Sequence, residues 1–563
     1  IRRDCLDALG LFDVKNFGKG YGEENDFCRR AAEAGWRNLH ALDTFVLHTG
    51  GVSFGDSKSA REREAVEKLR RMHPSYDGVV HKFVAEDPAR SARLAVDLAR
   101  IRSRGLPGVL AVLHDRSGGT LRHVGELARH MARRAVFFSL TPVPGGSLRL
   151  QLVEPGAGFR LEFSLPGQWQ ALLDALRGLG VAHLHYHHLL GHRDEVLHLG
   201  EQLGVRWDFT AHDYYSMCPN ISLTDKTDRY CGEQGDGSCH RCLQGAPAAD
   251  GARTAYWRER HGQLLADARH VFAPSRDTAR RYIRMWPATD VRVAPHTDLA
   301  SLPQMPAPSV RPLQAGAPLK VAVIGALSRI KGADVLEDVA SLAATAGAPV
   351  EFHLLGFAYR DLKKQPQAAL SVHGAYDEKD LPKLLDWLKP DLVWFPAVWP
   401  ETYSYTLSAA LAAGLPVVAP DIGSFAERLD GRRWSWIEPW DTPPAEWLAF
   451  FKRVREENFI AAMSPSPQHL LADAKTDAMI GPWSYEDDYL RHVEPAPPAA
   501  PLPPAFLEAH GHHGGQGVER QRRRLKRGAL DALVWLRGAA PLRSVAKALP
   551  LRLQTRVKSW LRA

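Results

Sequence analysis

The sequence predicts an α/β protein with two Rossmann-like lobes and a cleft between them. Alternating strand-like and helical patterns fill residues 107–440, as expected for parallel sheets covered by helices on both sides. Two such series meet at the Pro-rich, helix-poor stretch 308–318, which suits a linker between lobes. The chain of 563 residues is 45% hydrophobic and 24% charged, so it is too long for a single core and globular in composition.

Eight apolar runs are predicted strands. They are "GVLAVLH", "AHLHYH", "RWDFTAH", "HVFAPS", "LKVAVIG", "VEFHLLG", "LVWFPA" and "PVVAP". The composition along the chain predicts six parts. They are an N-terminal piece 1–55, a helical connector 56–106, a first lobe 107–310 with a Cys-rich insertion 218–242, a second lobe 311–494, a Pro/Gly-rich linker 495–517 and a basic tail 518–563.

The charge distribution and the hydropathy of the sequence limit the classes of binding partner and the cellular compartment that we expect. The formal net charge is +8, but residues 518–563 hold thirteen Lys or Arg and two acids, a local charge of +11, so the rest carries about −3. No recognition motif points to nucleic acid. No run of eighteen apolar residues and no signal peptide is visible, which favours the cytoplasm. The sequence opens at Ile1 in what reads as the middle of a domain, and we expect residues upstream of it.

One carboxylate stands out at a predicted strand end. Glu401 follows "LVWFPAVWP" and precedes an apolar helical run, and ligands of doubly wound folds bind at the carboxyl ends of strands. There it could accept hydrogen bonds from sugar hydroxyls. The alternative is a plain charge at a helix start, worth about 0.3–1 kcal/mol.

Two Gly-containing loops lie at other strand ends. "VAVIGALSRIKGADVL" ends a strand at Gly325 and delivers Lys331 and Gly332 to a helix, where the ammonium could neutralise a diphosphate. "HDRSGGTLRHVGELA" places Gly118 and Gly119 at a helix start, where backbone can approach a ligand closely. Most such glycine pairs are ordinary turns, so the second loop gains meaning only with the first.

These motifs carry a family resemblance. "GALSRIKGADVL" resembles the donor-phosphate loop of glycosyltransferase family 4, and "PETYSYTLSAALAAGLPVVAPDIGSFAE" resembles its E-x7-E segment. Residues 107–490 therefore look like a GT-B glycosyltransferase. The resemblance implies a nucleotide-sugar donor, a glycan or lipid-linked glycan acceptor, and a retaining hexosyl transfer. It implies that Glu401, with the adjoining Thr402 and Tyr403, meets the donor sugar, and that Lys331 grips the diphosphate.

Two positions depart from that family pattern. The second Glu of the motif falls at Ala409, and the Arg that usually follows the strand-end glycine falls at Ala326. Both losses concern donor binding. Arg329, two residues before Lys331, could reach the diphosphate instead. We expect altered donor affinity, and the rival hypothesis is a non-catalytic GT-B scaffold that binds glycan or a partner enzyme.

Histidines mark the acceptor side of the predicted cleft. "FTAHDYYSMCP" offers His212 and Asp213 at a strand end, and "HLHYHHLLGH" offers His187 and His188. The resemblance implies a histidine near the reacting sugar, and we favour His212 with Asp213 for that role. The alternative is that these histidines are structural.

Four of the six cysteines cluster in the insertion. Their spacing, with a closing C-x2-C, is typical of a structural four-cysteine zinc site in a reducing compartment. The predicted ligands are Cys218, Cys231, Cys239 and Cys242. The alternatives are two disulfides, four independent thiols, or His240 in place of one cysteine. Cys5 and Cys28 are expected in the core.

The N-terminal piece has a resemblance of its own. "GYGEENDFCRRAAEAGWR" and "FVLHTGGVSFG" resemble the C-terminal end of a family 2 GT-A glycosyltransferase. This implies Glu24 as a former catalytic base and His48 as a ligand of a divalent metal. The nucleotide-binding half of such a domain is not in the sequence, so this remnant is expected to be inactive.

Together, the two resemblances imply a glycosyltransferase of surface polysaccharide biosynthesis, which we expect in the cytoplasm. The tail 518–563 mixes Arg with Leu, Val and Trp, so it could contact an anionic inner-membrane surface where lipid-linked acceptors lie. A solvated basic tail is the alternative.

Overall fold

The computed structural model describes residues 1–18, 21–44, 46–47, 58–233, 235–245, 253–296, 305–470, 473–494 and 501–511. They form two compact units. The smaller comprises residues 1–103, 158–162 and the described part of 501–528, and the larger contains the remaining described residues.

The smaller unit is built from helices. They are α1 (Arg3–Leu9), α2 (Val14–Phe17), α3 (Glu23–Glu33), α4 (Lys58–Met72), α5 (Tyr76–Glu86), α6 (Arg90–Ser103) and a helix at Pro504–His510. Inside it, the fully buried Asp26 accepts from His73 Nε2 at 2.9 Å and from Arg30 Nε at 2.8 Å. Cys5 is buried as expected, but the core prediction was wrong for Cys28, which is exposed on α3.

The first sheet of the larger unit has eight strands. They are β1 (Gly108–Val112), β2 (Val136–Val143), β3 (Ser147–Leu152), β4 (Arg160–Ser164), β5 (Val181–Tyr186), β6 (Trp207–Thr210), β7 (Val271–Ala273) and β8 (Val291–Val293). Their order is β4-β3-β2-β1-β5-β6-β7-β8. The six strands β2, β1, β5, β6, β7 and β8, which are neighbours in that spatial order, are all parallel. β3 pairs with β2 in the antiparallel direction.

The second sheet has six strands. They are β9 (Leu319–Leu327), β10 (Val350–Ala358), β11 (Leu370–Val372), β12 (Leu392–Trp394), β13 (Val417–Pro420) and β14 (Ser435–Glu438). All pairs are parallel, in the order β11-β10-β9-β12-β13-β14. The prediction of two α/β lobes with parallel sheets is therefore confirmed, and each of the eight predicted strand runs contains a strand. Residues 305–318 between the sheets contain neither helix nor strand.

Helices of the larger unit connect these strands. They are α7 (Gly119–His130), α8 (Trp169–Gly178), α9 (Leu199–Leu203), α10 (Asp236–Gly245), α11 (Thr254–Ala266), α12 (Arg276–Met285), α13 (Ala333–Thr345), α14 (Leu381–Leu388), α15 (Tyr405–Ala412), α16 (Ser424–Leu429), α17 (Pro444–Val454) and α18 (Ala474–Asp477). Serine side chains begin two of them: Ser275 accepts from Thr278 N before α12, and Ser404 from Leu407 N before α15.

The cores lie on the faces of the two sheets. In the second lobe, buried residues of β9, β10 and β12 pack against α13 and α17, with Trp394 and Phe451 fully enclosed. In the first lobe, Tyr485 and Tyr489 pack with Leu127 and Phe272. The segment around Tyr485 therefore lies on the first sheet, although the sequence had assigned residues up to 494 to the second lobe.

No helix among the described residues is long and apolar enough to cross a bilayer. The linker residues 495–500 and 512–517 and the basic tail 518–563 lie outside the described part of the chain.

Candidate functional site

The loops after two neighbouring strands build the centre of the site. β9 and β12 are adjacent in the second sheet, so the loops at their carboxyl ends meet, and Val398 N donates to Ile330 O at 2.9 Å. Gly332 has φ +83°, and a Cβ there would lie 2.0 Å from Pro396 O. Only glycine permits this close approach.

Lys331 and Glu401 converge at this point. Lys331 Nζ lies 3.1 Å from Glu401 Oε1, with the lysine side chain 45% exposed and the glutamate side chain 6% exposed. The ammonium can therefore reach an incoming anion, while the carboxylate is held within the fold. The sequence-based pairing of these two residues at strand ends is what the geometry shows.

The backbone around Glu401 is fixed by α16. Ser424 N donates to Glu401 O at 2.8 Å. Gly423 has φ +70°, and a Cβ on it would come within 2.6 Å of both Glu401 N and Glu401 O. The absence of a side chain at Gly423 thus lets the helix start approach the carboxylate loop.

Thr402 and Tyr403 continue the loop in two directions. Thr402 Oγ1 donates to His212 O at 2.5 Å, which joins the loop to the end of β6 in the first lobe. The Tyr403 hydroxyl lies 3.1 Å from Ser408 Oγ. Through Thr402, the glutamate loop and the predicted acceptor-side histidine share one hydrogen bond.

Arg428 is a site residue that the sequence did not single out. Its guanidinium donates to Ser404 O at 2.8 Å and to Ser408 Oγ at 2.7 Å. It also lies 4.4 Å from the centre of the Tyr403 ring. A cation therefore stands beside Ala409, the position where the family pattern has its second carboxylate. In the sequence "SFAERL" this arginine looks like any surface residue of a short helix.

Arg329 is engaged with side chains other than Lys331 and Glu401. Its Nε donates to the Tyr359 hydroxyl at 2.9 Å, and the guanidinium pairs with Asp228 at 3.3 Å and with Asp334 at 3.5 Å. These carboxylates and the phenol hold an arginine that is 55% exposed. Asp228 belongs to the Cys-rich insertion, so this insertion reaches the loop after β9.

The strand-end glycine of the second lobe is also conformationally constrained. Gly325 has φ +117°, and a Cβ on the neighbouring Gly356, at φ +138°, would lie 2.0 Å from Gly325 O. Two glycines on adjacent strands thus allow β9 and β10 to approach closely beside Ala326.

The glycine pair of the first lobe faces the start of α15. Gly118 has φ +140°, and a Cβ on Gly119 would lie 3.6 Å from the Tyr405 ring. Tyr405 donates to Glu126 at 3.0 Å, and the Arg122 guanidinium lies 4.0 Å above its ring. Burial, and then the Glu126 charge, raise the pKa of Tyr405. Gly119 therefore lies against the same segment that carries Tyr403.

The acceptor-side histidines pair differently from the sequence prediction. His212 Nε2 lies 3.0 Å from His187 Nδ1, and Asp213 Oδ2 lies 2.8 Å from His188 Nε2. Asp213 thus supports His188 and not the adjacent His212. Burial, followed by neighbouring imidazoles, holds the pKa of His212 well below its usual value, so this ring is neutral at pH 7. Burial alone would raise the pKa of Asp213, but the charge and hydrogen bond of His188 outweigh it and lower that pKa.

The four predicted zinc ligands are free thiols. None of Cys218, Cys231, Cys239 and Cys242 forms a disulfide. Cys239 Sγ accepts from Arg258 at 3.4 Å, and Cys242 Sγ from Asn220 at 3.9 Å. Burial, and then the nearby Cys239, raise the pKa of Cys231 to about 11. Among the described residues, no three of these sulfur atoms lie within 4.8 Å of one another. The side chain of His240 lies outside those residues.

Of the two candidate residues of the family 2 remnant, only Glu24 is among the described residues. Glu24 belongs to the smaller unit and is exposed. There its carboxylate accepts from Gly22 N at 3.2 Å and from Asn25 Nδ2 at 3.0 Å, as expected of an acid at a helix start. His48 lies outside the described residues. The role of this remnant stays a prediction.

Family models match both lobes. Residues 117–297 match the model described as Glycosyltransferase Family 4, and residues 318–453 match the one described as Glycosyl transferases group 1. The first match lies on the first sheet and the second on the second sheet. Each lobe is therefore similar to a glycosyltransferase domain of the kind that its family model describes. No curated protein matches the sequence.

Solved structures with a similar arrangement differ widely in sequence. HepE from Anabaena in complex with UDP is 14% identical, with 63% of this chain and 91% of that chain covered and a TM-score of 0.38. Sucrose-phosphate synthase from Thermosynechococcus elongatus is 15% identical, with 62% and 90% covered and a TM-score of 0.38. The lipopolysaccharide outer core galactosyltransferase WaaB is 10% identical, with 62% and 91% covered and a TM-score of 0.41.

Proposed function

We propose that this chain transfers a hexosyl group from a nucleotide sugar to a glycan or lipid-linked glycan acceptor, with retention, in surface polysaccharide biosynthesis. The observation that carries the proposal is the 3.1 Å approach of Lys331 Nζ to Glu401 Oε1 at the carboxyl ends of β9 and β12. An ammonium and a carboxylate side by side match the two ends of a sugar diphosphate. The anionic phosphates need a cation, and the sugar hydroxyls need an acceptor.

Lys331 acts on the diphosphate in this proposal. Its amine is 45% exposed, so it can reach a phosphate oxygen, while a donor sugar hydroxyl takes its place at the Glu401 carboxylate. Gly332 leads directly into α13, whose first turn presents backbone N–H groups. Cation and helix N-terminus together stabilise the negative charge that grows on the leaving diphosphate.

Glu401 orients the donor sugar. Its carboxylate is almost fully buried, and its backbone is fixed by a hydrogen bond from Ser424 N. A sugar hydroxyl that donates to this carboxylate is therefore held in one place. Thr402 and Tyr403 line the same loop, and Gly118 and Gly119 allow backbone of the first lobe to approach from the other side. Such positioning converts binding into rate when the reacting atoms are aligned.

Transfer with retention needs no protein nucleophile in this geometry. The bond between the sugar C1 and the diphosphate oxygen breaks, and the acceptor oxygen bonds to C1 on the same face. The acceptor proton passes to the departing phosphate oxygen. The backbone carbonyl of His212 accepts from Thr402 and so fixes the acceptor-side strand end to the Glu401 loop.

The altered motif positions bear on which donor is used. Arg428 donates to Ser404 and Ser408 beside Ala409, so the space of the missing carboxylate faces a cation. A nucleotide that is held by phosphate or backbone contacts suits this arrangement better than one held through a ribose–carboxylate bond. Arg329 serves the diphosphate only if it leaves Asp228 and Asp334.

We also propose that the four insertion cysteines hold a structural Zn²⁺, that the chain works in the cytoplasm, and that its tail contacts the inner-membrane surface. Two observations support the zinc assignment. None of the four thiols is in a disulfide, and Cys239 is close enough to Cys231 to raise its pKa. Metal binding would deprotonate thiols whose pKa is raised in its absence. The tail supports membrane contact through its charge alone.

The decisive experiment is a donor panel. Full-length protein is mixed with millimolar UDP, GDP, UDP-glucose, UDP-galactose, UDP-N-acetylglucosamine and GDP-mannose, and the unfolding temperature and nucleotide release are recorded. A true donor raises the unfolding temperature because it binds the native state alone. Glu401→Gln and Lys331→Ala should lower nucleotide release at least about 100-fold. Tyr359→Phe, which changes an Arg329 contact, is the matched control. If no donor stabilises the protein, the rival non-catalytic scaffold is favoured.

A further inference from the structure

Three imidazoles, two of them buried and that of His212 partly buried, lie together in the first lobe. His123 is on α7, His187 follows β5, and His212 follows β6. One ring nitrogen from each lies within 4.8 Å of the other two. We propose that His123, His187 and His212 bind a divalent first-row transition metal, of which Zn²⁺ suits the donor set best.

The spacing of the nitrogens fits such an ion. His187 Nδ1 and His212 Nε2 are 3.0 Å apart. Two imidazole nitrogens on a tetrahedral zinc, each bonded at 2.0–2.1 Å, are separated by about 3.3 Å. In the metal-free pair one of these nitrogens must carry a proton for the other to accept. A small rotation of either ring would let both offer lone pairs to one ion.

Unpaired ring nitrogens give an independent indication. Within the described residues, neither Nδ1 nor Nε2 of His123 has a hydrogen-bond partner. His123 is fully buried and His187 is 1% exposed. Buried nitrogens without partners are costly, and evolved cores rarely leave both nitrogens of one ring unpaired. A metal ion would supply the missing partner.

A neighbouring histidine shows the contrast. His185 is equally buried, but its Nδ1 meets the Tyr489 hydroxyl at 2.8 Å and its Nε2 meets Thr210 Oγ1 at 2.7 Å. Its ring centre lies only 4.0 Å from that of His187. Both nitrogens of His185 are used by the fold, so His185 is structural and is excluded as a ligand. His185 therefore differs from His123, while His296, which adjoins His123, also has a buried Nδ1 without a partner among the described residues.

A fourth imidazole adjoins the three rings. His296 closes one side of the site, with its ring centre 4.1 Å from that of His123 and 5.0 Å from that of Tyr403.

Three protein ligands leave one tetrahedral position unfilled. His296 and Tyr403 lie on the side of the cluster that adjoins the Glu401 loop. The Thr402 hydroxyl bonds the carbonyl of His212 itself. A metal on His212 would therefore stiffen the strand end to which the Glu401 loop is attached. The site assignment does not depend on sugar transfer, because metal binding can be measured without a donor.

Metal content of the full-length protein tests the assignment. Chelator-treated protein is titrated with Zn²⁺ alone, then dialysed, and bound zinc is measured by mass spectrometry. His123→Phe fills the same space without a ligand and should weaken zinc binding at this site more than about 100-fold, since even supporting residues of metal sites are worth 10–100-fold. His185→Gln is the matched control and should keep the metal.

A second measurement separates this site from the cysteines and leaves all three histidines in place. Co²⁺ added to the wild-type chelator-treated protein should give visible ligand-field bands that persist in Cys231→Ser/Cys242→Ser, where thiolate-to-cobalt charge transfer is lost. Loss of all cobalt bands in that cysteine variant would overturn the proposal. Equal zinc binding by wild-type and folded His123→Phe would overturn it as well.

Discussion

A buried carboxylate in the first sheet permits a quantitative stability prediction. Asp208 on β6 is fully buried and accepts from His183 Nε2 at 3.0 Å and from Arg269 Nε at 2.9 Å and its terminal nitrogen at 2.5 Å. Burial alone would raise the pKa of Asp208, but the charges and hydrogen bonds of His183 and Arg269 outweigh it and lower that pKa to about 2. We predict that Asp208→Asn strongly destabilises the larger unit.

The magnitude follows from two routes. Lowering a pKa from 3.8 to about 2 corresponds to about 2 kcal/mol of stability at pH 7, which is lost as the pH falls from about 5 to about 2. Substitution costs more, about 3–5 kcal/mol, because it leaves the buried partners without their counter-charge. For a unit of about 400 residues, with an unfolding entropy of about 2.1 cal/mol/K per residue, this is a fall of about 4–6 °C in unfolding temperature.

The chain offers a matched control on the neighbouring strand ends. Asp290 also pairs with one histidine and one arginine, His270 at 2.7 Å and Arg292 at 2.9 Å, but it is 41% exposed. Exposed pairs contribute about 0–1 kcal/mol, so Asp290→Asn should lower the unfolding temperature by less than about 1 °C. Differential scanning calorimetry of both variants at pH 7 gives the comparison. Equal shifts for Asp208→Asn and Asp290→Asn would refute the argument that burial sets the energy.

Two further predictions concern the Glu401 loop. Gly423→Ala should displace Glu401 by most of an ångström and lower nucleotide release from an accepted donor about 100-fold, whereas Gly347→Ala, which is also at positive φ but has open space around it, should cost only about 1–2 kcal/mol of stability; equal release rates would contradict the first. In Arg428→Lys a single ammonium replaces the planar guanidinium that donates to both Ser404 O and Ser408 Oγ. We therefore expect the KM for the donor to rise about 10-fold with little change in unfolding temperature. An unchanged KM would show that Arg428 lies outside the donor contacts.

The two parallel-sheet lobes were predictable from the alternating pattern, and the convergence of Lys331 and Glu401 follows because a parallel sheet puts the carboxyl ends of its strands at one edge. The role of the two residues in a donor site stays a prediction. Once "LKVAVIG" and "LVWFPA" were read as strands, the loops with Lys331 and Glu401 had to lie near that edge. The pair at 3.1 Å needed no contact information beyond this rule.

Other contacts could not be predicted from spacing along the chain. His212 and Asp213 lie in the bend that follows β6, so strand alternation does not set their directions, and Asp213 supports His188 of the neighbouring strand end. The return of Tyr485 and Tyr489 to the first sheet is also a tertiary event, decided by which apolar surface remains uncovered. Arg428 gave no signal because its importance depends on a partner loop twenty residues away.

The Cys-rich insertion of the first lobe contacts the second lobe through a hydrogen bond and an ion pair. Tyr230 N donates to Val398 O at 3.0 Å, and Asp228 pairs with Arg329. Any rotation that widens the gap for substrate exchange must part this backbone bond and this ion pair together. The rate of product escape would then depend on how firmly the insertion is folded, and a chelator could change turnover without touching a single atom of the sugar pocket.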